Sequence, residues 1–293
     1  MSTAPIAVDM SQTIRIALGR IGEIATLPEV TAKIISVVDD PRSTAHDLHN
    51  IIKNDPALAI KILKVVNSAF YGLPGQVSDL DRAIVLLGLS AVKNIAISAS
   101  ISRLFTSGKL SDSFSARDLW KHSLAVGVVT RQFACLIGKR TFIEEAFLAG
   151  LIHDLGLLVE RQAFPEKLFE VIQVSTKTHR PFTEVETEIV GADHQALGFA
   201  LATKWKFPRA LQTVLGYHHA IDNLSADNRQ LTALVYAADT LCCQERIGFP
   251  LTAECQLLDD ALLESVGLAA IDLETLRAEL PQQIEAAETT LGD

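Results

Sequence analysis

Aromatic side chains are scarce, at 6% of the 293 residues, with two Trp and three Tyr. Ala, Leu, Ile and Val take their place, and hydrophobic residues reach 48% against 21% charged. Such a composition favours helices packed on helices over sheets. No stretch of useful length alternates apolar and polar positions, and no internal repeat is found. Nor does any apolar run reach the roughly 20 residues of a membrane helix, which argues against a membrane protein. Met1 to Met10 contains Asp9 and no basic stretch, so a secretory signal is not expected and a cytoplasmic location is. The four cysteines, Cys135, Cys242, Cys243 and Cys255, form no CxxC pair and no framework spacing. Adjacent Cys242 and Cys243 read as reduced thiols in the core, as a reducing compartment allows.

A basic track is also missing. From Glu245 onward there are 11 acids against Arg246 and Arg277, so this tail alone accounts for the net charge of −9. The preceding 24 acids and 24 bases cancel. Direct nucleic-acid binding is therefore disfavoured. The acidic tail reads as a solvated helical face or as a surface for a partner.

What is present is a series of helix signals. Pro28 opens a segment with Val30, Ile34, Val37 and Val38 on one face, closed by Asp40-Pro41. Thr44 with Asp47 has the spacing of a capping box ahead of Leu48, Ile51 and Ile52. Asp55-Pro56 starts a third helix that runs to about Phe70, before Gly72, Pro74 and Gly75 break the chain. Ser78 with Asp81 caps a short helix ending near Gly88, and Ser90 starts another lasting to about Phe105. The polar run from Thr106 to Ser115 marks a boundary. Beyond it, Ser115 with Asp118, Thr141 with Glu144 and Thr183 with Glu186 are three further capping patterns. The apolar positions Leu257, Leu258, Ala261, Leu262, Leu273, Leu276 and Leu280 suggest amphipathic helices closing over the core. All-α is the expected class. The turn at Gly88-Leu89-Ser90 superficially suggests a helix-turn-helix, but no basic face accompanies it, and an ordinary αα-corner is the better account.

Six of the eight histidines lie between positions 122 and 219. His122 falls in the helix starting near Ala116. His153-Asp154 lies in the apolar helix AFLAGLIHDLGLL, His194 precedes Gln195, His218 and His219 are adjacent, and Asp239 sits in LTALVYAADTLCC. A carboxylate or imidazole buried without a partner costs several kcal/mol. Imidazoles and carboxylates together suit Fe, Mn, Zn and similar ions, and a carboxylate can bridge two of them. Each histidine taken singly is more often an ordinary hydrogen-bonded residue. His46, His49 and His179 stay in that class, and His218-His219 alone could cap a helix C-terminus.

The order His122, His153-Asp154, Asp239 resembles the H…HD…D signature of the HD superfamily of metal-dependent phosphohydrolases. The first half is more specific. Leu27-Pro28, Asp55-Pro56-Ala57-Leu58-Ala59, Val66-Asn67-Ser68-Ala69-Phe70-Tyr71-Gly72, Ala83-Ile84 and Leu87-Gly88 closely resemble the HDOD family, a resemblance covering about residues 20 to 245. It implies an N-terminal helical subdomain over 21–110, after an extension over 1–20. An HD-like helical core over 115–245 and an acidic tail over 246–293 packing on it would follow. It also implies a regulatory role in signal transduction through protein partners.

Many HDOD proteins lack the HD metal ligands, whereas this chain retains His122, His153, Asp154 and Asp239. His194, His218 and His219 are similar to the additional ligands of the HD-GYP phosphodiesterases. By that resemblance Asp154 bridges two ions, His122, His153 and Asp239 serve one, and His194, His218 and His219 serve the other. One or two divalent ions are implied, drawn from Fe, Mn, Zn, Ni or Mg. Asp118 falls where some such enzymes carry an acidic ligand, but it is equally the capping partner of Ser115. The chain departs from HD-GYP after the HD pair. Leu155-Gly156-Leu157 replaces Ile-Gly-Lys, and Ala220-Ile221-Asp222-Asn223 carries no Gly-Tyr-Pro motif. Losing that lysine removes charge-assisted bonds to a phosphate worth about 1.5–3 kcal/mol. The expectation is thus a regulatory protein with a metal pocket, which a small phosphorylated ligand could still visit. The alternative is a metal-dependent phosphohydrolase acting on a nucleotide or phosphodiester.

Overall fold

Asp55 and Pro56 show how this chain starts a helix. The Asp55 carboxylate accepts the Leu58 N–H at 3.0 Å, and Pro56 stands at the first helical position, where a missing N–H costs nothing. The computed structural model describes residues 10–22, 29–39, 42–68, 71–105, 109–111, 114–139, 142–268 and 270–291. Leu27-Pro28, Asp40-Pro41, Ala69-Phe70 and Thr141 lie outside the described residues.

After α1 (Met10–Arg20) come α2 (Glu29–Asp39), α3 (Ala45–Ile52), α4 (Pro56–Val66), α5 (Leu80–Leu87) and α6 (Leu89–Ile101). Thr44 and Asp47 form both halves of the expected capping box on α3. α4 stops at Val66, short of the expected Phe70, because Asn67 turns back on itself. Its amide donates to Leu63 O and Val77 O and accepts the Val77 N–H at 2.7 Å. Asp79, one residue later than expected, caps α5, since its carboxylate is a stronger acceptor than the Ser78 hydroxyl. Ser78 donates to that carboxylate instead, at 2.9 Å.

α6 is buried along nearly its whole length from Ala91 to Ile101. It packs against α2, α4 and α5 on one side and against α8 (Ile143–Ile152) on the other. The turn at Gly88 is therefore a packed corner. The helix expected to last to about Phe105 ends as a 3-10 turn, Ser102–Phe105, and one short antiparallel pairing of Lys109–Ser111 with Phe114–Ser115 lies within the expected boundary.

The second group comprises α7 (Ala116–Leu136), α8, α9 (Leu155–Ala163), α10 (Pro165–Thr178), α11 (Phe182–Ile189), α12 (His194–Lys204), α13 (Arg209–Tyr217) and α14 (Ala226–Gln244). α7 and α8 cross backbone to backbone: a Cβ on Gly150 would lie 2.6 Å from Val126 O and 2.8 Å from Gly127 Cα. Only glycine lets the two helices meet at that distance. α14 packs on α7 and α8, α12 lies against α9 and α13, and α1 covers α9 and α12.

The acidic tail forms α15 (Asp260–Val266) and α16 (Ala270–Leu291). α16 lies on α7 and buries Leu273, Leu276, Leu280, Ile284, Ala287 and Leu291. In α15 the buried residues are Leu263 and Val266, with Leu262 half-buried, whereas Ala261 faces solvent, as does Leu257 ahead of the helix. No described helix is long and apolar enough to cross a membrane. Among the described residues the regular structure is helical apart from one short strand pair.

Candidate metal centre

His122 lies two turns into α7, whose start is set by Ser115. The Ser115 hydroxyl accepts the Asp118 N–H at 3.0 Å and donates to Asp118 Oδ2 at 2.6 Å, so Asp118 is committed to the cap. His153 and Asp154, expected within one apolar helix, instead form the two-residue junction between α8 and α9. Ending one helix and starting another lets neighbouring side chains turn into the same space, which a continuous helix would point about 100° apart. Gly156 makes the junction possible. A Cβ there would fall 1.8 Å from His194 O, so the start of α9 rests directly on the start of α12. His194 is the first residue of α12, after the Asp193 cap, His218 ends α13, and Asp239 is carried by α14.

These elements bring all seven sequence-expected residues together. His122, His153, Asp154, His194, His218 and Asp239 are fully buried at 0% exposure, and the His219 side chain is 4% exposed. Four rings are held the same way. His122 gives Nδ1 to Ile247 O (3.2 Å), His153 to Gly150 O (2.7 Å), His218 to Val214 O (3.0 Å), and His194 to the Glu186 carboxylate (2.7 Å). Carbonyls and carboxylates only accept, so each Nδ1 carries the proton and each Nε2 presents a lone pair.

Those lone pairs converge on acceptors. His122 Nε2 is 3.0 Å from Asp239 Oδ1 and 3.7 Å from Asp154 Oδ2. His153 Nε2 is 3.3 Å from Asp154 Oδ2. His194 and His218 each place Nε2 3.4 Å from Asp154 Oδ1 and 3.2 Å from one another. His122 Nε2, His153 Nε2, both Asp154 oxygens and Asp239 Oδ2 are buried without a hydrogen-bond partner. A buried orphan acceptor costs about 1–3 kcal/mol, and several facing one another cost more. A cation relieves all of them at once, so the donor set fits a divalent metal. Among these seven residues two ligand groups meet the reach of a single ion: Asp154 with His194, His218 and His219, and His122 with His153 and Asp154.

His219 differs from the other four. Its Nδ1 takes a close hydrogen bond from the Gln256 amide, which leaves the proton on Nε2, directed at His194 Nε2 3.0 Å away. Electrostatics follow from burial and neighbours. Burial pulls His218 down, and burial with the charges of His218 and His194 pulls His219 further. For His153 burial is outweighed by Asp154 and Asp239, and its pKa rises. Burial would raise both Asp154 and Asp239, but the surrounding imidazoles hold each carboxylate below its ordinary range.

Two functional residues escaped the sequence reading. Thr183 and Glu186 look like a capping box, yet Thr183 lies inside α11 and Glu186 turns inward to hold the His194 ring and its N–H. Behind it stands Glu160 of α9, also fully buried. Burial pushes both carboxyls well up, and for Glu160 the charge of Glu186 adds to it. A carboxylate orienting a ligand imidazole is a recurrent second layer of metal sites. The one signal in the sequence is Glu160 itself, an acid set among Leu157, Leu158 and Val159. Outside the pocket, His46 is exposed, His49 pairs with Asp81 at 2.8 Å, and His179 terminates α10 at φ 53°.

Comparison with known proteins agrees with this architecture. The HDOD domain family matches residues 24–221, ending before α14 and Asp239. An uncharacterized protein of Treponema pallidum (strain Nichols) is 25% identical over 232 residues, 78% of this chain, which in turn spans 44% of that relative. Among solved structures, an HDOD domain protein of unknown function from Geobacter sulfurreducens superposes with a TM-score of 0.79 at 21% identity, covering 96% of this chain and 99% of its own. A candidate phosphohydrolase from Shewanella amazonensis SB2B gives 0.71 at 22%, covering 94% and 98%. A candidate signal transduction protein from Marinobacter aquaeolei VT8 gives 0.75 at 19%, covering 96% and 65%. At these identities the structures share the fold. With a family match over most of its length, this chain belongs to the HDOD domain family.

Proposed function

We propose that this protein is a regulatory HDOD module whose pocket holds one or two divalent ions and which acts through protein partners. His122, His153 and Asp239 serve one ion, His194, His218 and His219 the other, and Asp154 turns one oxygen toward each group. An imidazole-rich set suits Zn, Fe or Ni better than Mg. His219 joins the set only after its ring proton leaves Nε2.

The observation that carries this reading is burial. Six of the seven residues have no exposed surface, and Leu157, standing where the HD-GYP resemblance puts a phosphate-binding lysine, is itself buried at 0%. A bound ion supplies charge compensation, together with Lewis acidity and a lowered pKa for coordinated water. The chain's own residues fix the imidazole tautomers and exclude bulk solvent. A pocket so closed ties the packing of α7, α8, α12, α13 and α14 to ion occupancy, and this is the state a partner would read.

The alternative is a metal-dependent phosphohydrolase acting on a nucleotide or phosphodiester. The full donor set and the description of the Shewanella structure favour it, and His219, at the pocket edge, would be the side of approach. One experiment separates the two. Protein loaded with Mn or Fe is assayed on phosphomonoesters and dinucleotides beside His153→Ala, and both are used as bait in extracts. Turnover at the His153→Ala background, with a partner retained by wild type and lost by the variant, supports regulation. Turnover well above that background, with no such partner, overturns it.

A further inference from the structure

Cys243 lies one turn after Asp239 on α14, and the i, i+4 spacing puts both side chains on one helix face. Its neighbour Cys242 enters the apolar core, whereas the Cys243 sulfur stands 3.4 Å from Asp239 Oδ1. One donor atom each from Cys243, Asp239 and His122 lie within 4.8 Å of one another, all three residues buried. The same group contains two of the orphan atoms, His122 Nε2 and Asp239 Oδ2. On its far side the sulfur is met by the Thr252 hydroxyl at 3.9 Å and by the Ala253 backbone N–H. Donors aimed at a sulfur stabilise it as an anion and are a familiar outer layer of metal thiolates.

We propose that Cys243 is a metal ligand, giving the His122–Asp239 side of the pocket a sulfur donor that selects thiophilic ions such as Zn2+, Co2+ or Cd2+ over Mg2+ and Mn2+. The inference rests on the proposal above that the pocket binds metal. A thiolate, not a thiol, is the ligand. On binding, a sulfur lone pair forms the bond to the cation, the S–H bond breaks heterolytically, and its proton is released to the buffer. No redox partner is required. In the metal-free protein burial, followed by the charge of Asp239, keeps the thiol protonated, and its S–H donates to Asp239 Oδ1. Cysteine adds chemistry here that nitrogen and oxygen do not. Soft thiolate adds to the preference for Zn over Mg or Mn that the imidazoles already give, and does so on the side of the pocket poorer in imidazole.

Co2+ is the probe, because a cobalt–thiolate bond gives a near-ultraviolet charge-transfer band while ligand-field bands in the visible report binding itself. The full chain is loaded with Co2+ alone as wild type, Cys243→Ser and the exposed-thiol control Cys255→Ser. The expected result is a charge-transfer band in wild type and Cys255→Ser, absent from Cys243→Ser, with the visible bands kept in all three. Cys243→Ser is further expected to lose affinity for Cd2+ by about 10- to 100-fold, at least what loss of an outer partner costs, and to leave Mn2+ affinity within a few-fold. Visible bands in wild type without the charge-transfer band overturn the sulfur ligand and leave the pocket reading standing, whether or not the serine variant folds. Absence of both sets of bands overturns the two together.

Discussion

His194 Nε2 and His218 Nε2 stand 3.2 Å apart, and neither holds a proton for the other. Each ring has committed its only N–H at Nδ1, His194 to Glu186 and His218 to Val214 O. With Asp154 Oδ1 3.4 Å from each, three acceptors face one another in a site without solvent. Such an arrangement is costly empty and favourable around a cation.

Metal should therefore stabilise the fold. At a free ion concentration about 100 times Kd, binding adds roughly 2.7 kcal/mol, and for a protein of this size Tm rises by on the order of 4–5 °C. Thermal unfolding of chelator-stripped protein, with and without Zn2+, checks this. An unchanged Tm at saturation contradicts it.

Affinity should fall in acid. Protons and the ion compete for Nε2, and His153, held up by Asp154 and Asp239, is protonated first as pH drops. His218 and His219, held down by burial, remain neutral further into acid. Because His153 is held above the ordinary imidazole value, binding should begin to weaken already above about pH 6.5 and fall further below it. Equilibrium dialysis from about pH 8 down to 5 reads the curve, and affinity that rises toward acid runs against the account.

Glu186 is expected to act through His194. Glu186→Ala frees the ring and should weaken metal binding by about 10- to 100-fold, while Glu186→Gln keeps an acceptor for the Nδ1–H and should stay within a few-fold. Equal losses in the two variants would show that the acceptor is not what matters.

Gly156→Ala should damage fold and pocket together. Its new Cβ would sit 1.8 Å from His194 O, and backbone has no rotamer by which to yield. Overpacking of this kind costs about 1–3 kcal/mol and more where backbone must move. Urea unfolding measures it, and a neutral Gly156→Ala would mean that α9 and α12 are not locked at that point.

Much of this was legible in the chain. Asp55-Pro56 and Thr44 with Asp47 act locally, so their caps could be read directly. The seven pocket residues were legible because they match a family pattern in order, even though the distances between them are set by tertiary packing. Where local and tertiary forces compete, the local reading failed. Glu186 has the spacing of a cap yet gives its carboxylate to His194, and Asn67 stops α4 through a bond to Val77 ten residues away. Cys243 looked like any core thiol, and only the register of α14 against α7 separates it from Cys242. The 153–154 junction depends on Gly156 meeting His194, a contact across the fold that no short window contains.

Whether His122, His153, Asp154, His194, His218, His219 and Asp239 hold metal decides the rest. Elemental analysis of protein purified without chelator tests it most directly. The expected result is one to two equivalents of Fe, Mn, Zn or Ni per chain, lost in folded His153→Ala and Asp154→Ala. Wild-type protein that is metal-free and takes up none of these ions on dialysis, or variants that keep the wild-type content, would contradict it.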